Sequence, residues 1–249
     1  MGKGRWRRVG GLSVVMSWPE DGYSSPPPPL PRGTSRARFF GFSGVMLVFS
    51  GVLAVTVAVL SQQHAPQPSA AAAGATSAHR GPSLKHSTPV AINIPAISVH
   101  SKLLRLGLNS DGTIQVPALP SQANRAAWYT RSVTPGQIGS SVIEGHVDSY
   151  QGAAVFFRLG ALRPGNTIDV TRADGVTATF KVTGVRQYPK MKFPAGKIYG
   201  GTNYAALRLI TCGGTFDSAT RHYLSSTVVF AALSGYRAAP GSTEAEAGT

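Results

Sequence analysis

Across the second half of the chain, short apolar runs recur between turn signals. Val90–Ile94, Thr113–Val116, Ser141–Glu144, Thr167–Arg172, Thr177–Val185, Ala205–Cys212 and Ser226–Leu233 each read as a strand. Asn109-Ser110-Asp111-Gly112, Pro135-Gly136, Pro164-Gly165-Asn166 and Ala173-Asp174-Gly175 fall between them, and these residue types tolerate or impose turn geometry. Short strands at that spacing predict an all-β barrel or sandwich. One short helix is expected over Ala153–Leu162, with Phe156, Phe157 and Leu159 available to pack on the sheet.

Upstream the pattern changes. Phe39–Leu60 runs without a charge for about 22 residues, roughly 33 Å as a helix, which matches the hydrocarbon thickness of a bilayer. It reads as a transmembrane signal anchor, because a cleaved signal peptide has a shorter apolar core. Residues 1–38 carry Lys3, Arg5, Arg7, Arg8, Arg32, Arg36 and Arg38, broken by the Pro26–Pro29 run, and read as a disordered basic arm. Set against the uncharged Ser61–Ala78 stretch, those cations orient the helix with its N-terminus in the cytoplasm and everything after Leu60 outside. Residues 61–88, rich in Ala, Ser, Pro and Gln, are expected to form a flexible linker. Residues 89–236 are then one domain of ordinary size, and 237–249 a disordered polar tail.

The formal charge of +14 over 249 residues suggests an anionic partner. Placement outside a membrane argues against nucleic acid, and no basic helix or RNA-binding aromatic signature follows Leu60. Seven of the cations are accounted for as topology determinants. Lys181, Arg186, Lys190, Lys192 and Lys197 lie between two late strands and read as a solvated face.

The chain has a single cysteine, which excludes an intrachain disulfide and any multi-thiolate metal site. It lies at the end of an apolar run, Leu207-Arg208-Leu209-Ile210-Thr211-Cys212-Gly213-Gly214-Thr215-Phe216-Asp217. Alternation puts Arg208, Ile210 and Cys212 on one face, and the two glycines leave the thiol unshielded. Such a residue is either a nucleophile or a small core hydrophobe. A nucleophilic thiol needs a base. His64, His79 and His86 fall in the linker, His100 follows the first strand, and His222 could line the thiol's face. His146 stands out: Val142, Glu144 and His146 share a strand face, and Gly145 and Asp148 frame the imidazole at the strand end. Cys212 and His146 are the minimum for cysteine–histidine catalysis.

Three segments carry a family likeness: Ser141-Val142-Ile143-Glu144-Gly145-His146-Val147-Asp148, Ala154-Val155-Phe156-Phe157-Arg158-Leu159, and the Leu209–Asp217 run around the cysteine. Together with Asn93-Ile94-Pro95-Ala96-Ile97 and Asp111-Gly112 through Val116-Pro117, they resemble sortases, specifically the actinobacterial class F group. The resemblance covers about 89–236. It implies an eight-stranded β-barrel transpeptidase on the outer face of a Gram-positive membrane. Cys212 would attack the backbone carbonyl of a sorting signal resembling Leu-Pro-x-Thr-Gly, in a secreted protein, to form a thioester. His146 would protonate the departing amine and then deprotonate a cell-wall precursor amine. No metal or cofactor is needed on that route. Sortases also carry an arginine, in many members about a dozen residues after the cysteine, where this chain reads Tyr223-Leu224-Ser225-Ser226-Thr227. Arg221 is the nearest candidate to stabilise the oxyanion, with Arg208 next. Two rival readings are a wall-binding adhesion module with a structural cysteine and a cysteine peptidase that only hydrolyses.

Overall fold

The computed structural model describes residues 64–75 and 81–238. The expected basic arm and membrane helix, and the tail beyond residue 238, lie outside them. Eleven strands form, in chain order β1 (Pro89–Ile94), β2 (Val99–Lys102), β3 (Leu104–Leu106), β4 (Ala127–Tyr129), β5 (Gly139–Glu144), β6 (Asp148–Ser149), β7 (Gly152–Ala153), β8 (Thr167–Arg172), β9 (Thr177–Pro189), β10 (Ala205–Asp217) and β11 (His222–Arg237). The one α-helix among the described residues is α1 (Ala195–Tyr199), in the β9–β10 connection.

Nine strands make one sheet in the order β2-β1-β8-β9-β11-β10-β5-β4-β3, and β6 and β7 form a separate ribbon. The two edges of that sheet, β2 and β3, are separated in sequence by Leu103 alone. Leu103 N–H donates to Val90 on one side, and Leu104 N–H donates to Ala126 on the other. One extended segment, Val99–Leu106, therefore crosses from edge to edge and nearly closes the sheet into a barrel. Counted as a single strand, it brings the total to the expected eight. Near-closure leaves few unpaired strand edges to attract other chains.

The interior is filled by alternate residues. Ile92, Ile94, Phe180, Leu207, Leu209 and Val229 point inward with Phe156 and Leu159 from the β7–β8 connection. The opposite face of β5, β10 and β11 is also covered. Val142, Ile210, Val228 and Phe230 pack there against Tyr129 and against Ile198 of α1. Residues 205–213 are consequently buried on both faces, which explains why this segment reads as a continuous apolar run rather than an alternating one.

Several expectations change. Thr113–Val116 is not a strand: Ile114 makes a single bridge to Leu108, and the loop is tied by Gln115 Oε1 accepting from Gly107 N–H. Ala153–Leu162 is not a helix but a run of turns ending in a 3-10 turn at Leu159–Ala161. The linker does not stand clear of the barrel where it is described. Ala65 and Ala72 are buried, and Arg172 Nη2 donates to the carbonyl of Lys85. Small residues are poor core formers by themselves, but they let a backbone lie flat on a core already built.

Candidate active site

β5 and β10 run parallel, with Arg208 opposite Val142 and Ile210 opposite Glu144. β5 ends beside Ile210, while β10 runs on to Asp217. Two bonds extend the register past the ladder: Gly145 N–H donates to Ile210 O at 3.2 Å, and Thr211 Oγ1 donates to Gly145 O at 2.8 Å. His146 and Cys212 are thereby brought side by side, with their strands about 4.8 Å apart. The two residues singled out in the sequence stand 66 positions apart along the chain, and the parallel pairing brings them together.

The His146 segment is held from behind. Phe156 N–H donates to His146 O, and Ala154 N–H donates to Val147 O. Gly145 is required by close approach, since a Cβ there would lie 2.6 Å from Val155 Cγ1 and 2.8 Å from Phe156 Cδ2. His146 is buried, and its Nε2 lies 2.6 Å from Pro117 O. A carbonyl only accepts, so Nε2 carries the proton and Nδ1 is the basic nitrogen. Burial lowers the pKa of His146 to about 4, partly opposed by the Pro117 bond. The imidazole is neutral at pH 7.

The glycines after the thiol have a different job from the one expected of them. Cys212 is only 5% exposed, packed with Val147 and Ala65 and flanked by Phe157 and Tyr223. Gly213 instead admits Thr227, whose Oγ1 would lie 2.5 Å from a Cβ at 213, and Gly214 takes φ +77° where the ladder slips between Gly213 and Phe216. The pair builds an irregularity in the β10–β11 hairpin next to the thiol.

The arginines are not equivalent. Ser226, itself buried, stands opposite Cys212 where many sortases would place arginine nearby. Arg221 is exposed at the β10–β11 turn with φ +57°. The turn is set by Asp217, whose Oδ1 accepts from Ala219 N–H and Oδ2 from Thr220 Oγ1. Asp217 is about 16 Å along a straight strand from Cys212, a span the hairpin irregularity shortens. Arg208 is almost fully buried: its guanidinium lies 4.7 Å from the Phe230 ring centroid, and Nη1 donates to Leu207 O. His222 closes the hairpin opposite Asp217, and His100 is exposed on β2, four strands from β11 across the sheet.

At the rim, Tyr223 and Phe216 carried no isolated sequence signal, and Glu144 and Asp148 stood out only as neighbours of His146. Tyr223 donates its hydroxyl to Asp148 Oδ2 and stacks edge-on against Phe216. Burial raises the pKa of Asp148, and the Tyr223 bond works against it. Glu144 is buried on the thiol's face and accepts from Tyr199 of α1 at 3.2 Å. Burial lifts its pKa to about 8. A Glu-x-His spacing could have flagged the carboxyl, but its partner lies 55 residues away.

A domain model for the sortase domain matches residues 92–234, more than half of the chain. The chain belongs to the sortase family. Sortases are cysteine transpeptidases that act on sorting signals, and this chain is an enzyme of that kind. Solved structures of similar fold include sortase A of Listeria monocytogenes, at 15% identity and TM-score 0.46, covering 63% of this chain and 93% of that one. The SrtA sortase of Actinomyces oris matches at 22% identity and TM-score 0.45, over 74% and 99% of the respective chains. A sortase D5 transpeptidase of Clostridium perfringens matches at 18% and 0.44, over 61% and 82%. No curated protein matched by sequence. The family assignment rests on the domain match.

Proposed function

We propose that this sortase is a class F-like, membrane-anchored transpeptidase in which Cys212 is the nucleophile, His146 the proton carrier and Arg221 the oxyanion partner. The observation that carries the reading is the register that sets Cys212, within β10, beside His146, just past the end of the parallel strand β5, with Nδ1 as the basic nitrogen. In the first half-reaction Sγ bonds to the carbonyl carbon of a peptide resembling the Thr-Gly bond of Leu-Pro-x-Thr-Gly. The thiol proton passes through His146 to the departing amine as the C–N bond breaks. A cell-wall precursor amine then attacks the thioester, the C–S bond breaks, and the amine proton returns to the thiolate through His146. A neutral imidazole suits the first transfer, since it must begin as the base.

The uncharged Phe39–Leu60 run and the arginines before it support an anchor with a cytoplasmic N-terminus and the barrel outside the cell, where secreted proteins and wall amines meet. Incubation with a Leu-Pro-x-Thr-Gly-type peptide library tests the reading. Intact mass should show an acyl adduct on Cys212 that is absent from Cys212→Ala and collapses to an amide product when an amine is added. An adduct that yields only acid under excess amine would make the enzyme a hydrolase, and no adduct with any peptide would sink the proposal.

A further inference from the structure

The exposed apolar side chains of the barrel are unevenly spread. Tyr150 stands in the turn between β6 and β7, Met191 in the 3-10 turn that follows β9, and Phe216 and Leu224 on the two arms of the β10–β11 hairpin. β9 and β10 both pair antiparallel with β11, and β10 pairs parallel with β5, so all four lie at the end of the barrel that carries Cys212 and His146. Val90, Ile138 and Tyr236, also exposed, lie at the other end. The loops of the thiol end are joined to one another. Ser225 pairs with Pro189, which sets Leu224 beside Lys190. Phe216 pairs with Tyr223 and meets it edge-on, and Tyr223 donates its hydroxyl to Asp148 of the β6–β7 ribbon. Lys190 and Lys192 in the β9 turn, Lys197 in α1 just beyond it and Arg221 in the hairpin turn bring positive charge to this rim. Its carboxylates, Asp148 and Asp217, are both engaged by their own neighbours.

We infer that the thiol end of the barrel docks on the surface of an anionic lipid bilayer, with Met191, Phe216, Leu224 and Tyr150 entering the headgroup layer and the lysines meeting lipid phosphates. Apolar side chains interleaved with cations on one face are the composition of an interfacial membrane contact. A soluble wall polymer would use the cations but has no use for the apolar side chains beside them. The tether points the same way. Ala65 packs with Cys212 and Val147, so the chain meets the barrel at its thiol end. From Leu60, the last residue of the uncharged run, to Ala65 an extended chain spans at most about 18 Å. The other end of the barrel lies roughly 23 Å farther off, the distance along β10 from Cys212 back to Ala205. The inference goes beyond the transpeptidase reading and rests on the membrane anchor within it. Docked in this way, the thiol meets peptides and amines that are themselves held at the bilayer surface.

Hydroxyl-radical footprinting of the full chain, read by mass spectrometry, tests the docking in vesicles of phosphatidylcholine alone and of phosphatidylcholine with phosphatidylglycerol. Oxidation of Met191, Phe216 and Leu224 should slow about fivefold or more in the anionic vesicles, the factor that one cation near such a surface supplies. Ile138 and Tyr236 should oxidise equally in both. Lys190→Glu with Lys192→Glu should return Met191 and Phe216 to their phosphatidylcholine rates. Equal rates at Met191 and Phe216 in the two kinds of vesicle overturn the docking in the parent chain, whatever the variant does. Equal protection of Met191 by soluble polyphosphate in detergent also overturns it, assigning the rim to a polymer. An alkaline carbonate wash separates the docking from the anchor. A chain protected at Met191 but stripped by the wash keeps the docking and loses the anchor, and a chain that resists the wash with Met191 unprotected keeps the anchor and loses the docking.

Discussion

Thr211 and Gly145 are joined by a 2.8 Å hydrogen bond, so the residue before the thiol holds the residue before the imidazole. The bond is buried and lies just beyond the last ladder pair of β5 and β10. Thr211→Val keeps the shape and strands the Gly145 carbonyl, which costs about 1–3 kcal/mol. Thermal melting should fall by several degrees. Thioester formation should fall by more than about tenfold, because the geometry between Sγ and the imidazole loosens. Thr211→Ser restores the donor and should recover most of the rate. Equal rates for the valine and serine variants would show that the bond is structural only.

Gly145→Ala tests the same alignment from the other side. The new methyl meets Val155 and Phe156, and Phe156 is fully buried and cannot retreat. Overpacking of this kind costs about 1–3 kcal/mol. The acylation rate should fall further than stability alone explains, because relief of the clash moves His146. A double variant with Val155→Ala should regain part of both, and the coupling between the two positions measures how much strain reaches the imidazole. Strict additivity in the double variant would count against that account.

The strands and the site were legible to different degrees, for physical reasons. β1, β5, β8, β9, β10 and β11 were visible because each is apolar, β-branched and bounded by turn residues. Val99–Leu106 was missed although it alternates, with Val99, Ser101 and Leu103 buried and His100 and Lys102 exposed. Ser and Lys in the pattern weakened a signal that the barrel needs for closure. Cys212 and His146 were identifiable because a lone thiol and a glycine-framed histidine each end an apolar run. Nothing local could show that Ala65 lies on the thiol, or that Tyr199 reaches Glu144. Those contacts are made by weakly patterned segments whose positions are fixed by the finished sheet.

Two buried groups set the pH dependence of stability, with opposite signs. His146 has its pKa lowered to about 4 in the fold, so the unfolded chain binds more protons between pH 4 and about 6.5, and stability rises with pH there. Glu144 has its pKa raised to about 8, so the folded chain binds more protons between about 4.5 and 8, and stability falls with pH there. The two slopes, each about 1.4 kcal/mol per pH unit, oppose one another below 6.5. From 6.5 to 8 the Glu144 slope acts alone. Chemical denaturation of the parent should show stability dropping across that range. Glu144→Gln, which keeps an acceptor for Tyr199, should flatten the curve from 6.5 to 8 and leave a rising limb below 6.5. Adding His146→Asn to Glu144→Gln should abolish that limb.

The two candidate arginines separate by where their loss is felt. Arg221 is exposed and holds φ +57°, a conformation that costs glycine nothing. Arg221→Gly should leave melting unchanged or slightly raised, while thioester formation falls about 10²–10³-fold if its cation meets the oxyanion. Arg208 is buried, lies over Phe230, and its Nε has no hydrogen-bond partner. Arg208→Met gives up the cation–π contact, about 0.5–2 kcal/mol, and relieves the cost of a poorly satisfied buried charge. Its melting should therefore shift little, and its acylation rate should stay within a few-fold of the parent. Loss of acylation in Arg208→Met with full activity in Arg221→Gly would transfer the oxyanion role to the buried guanidinium, which shares the face of Cys212 four residues along β10.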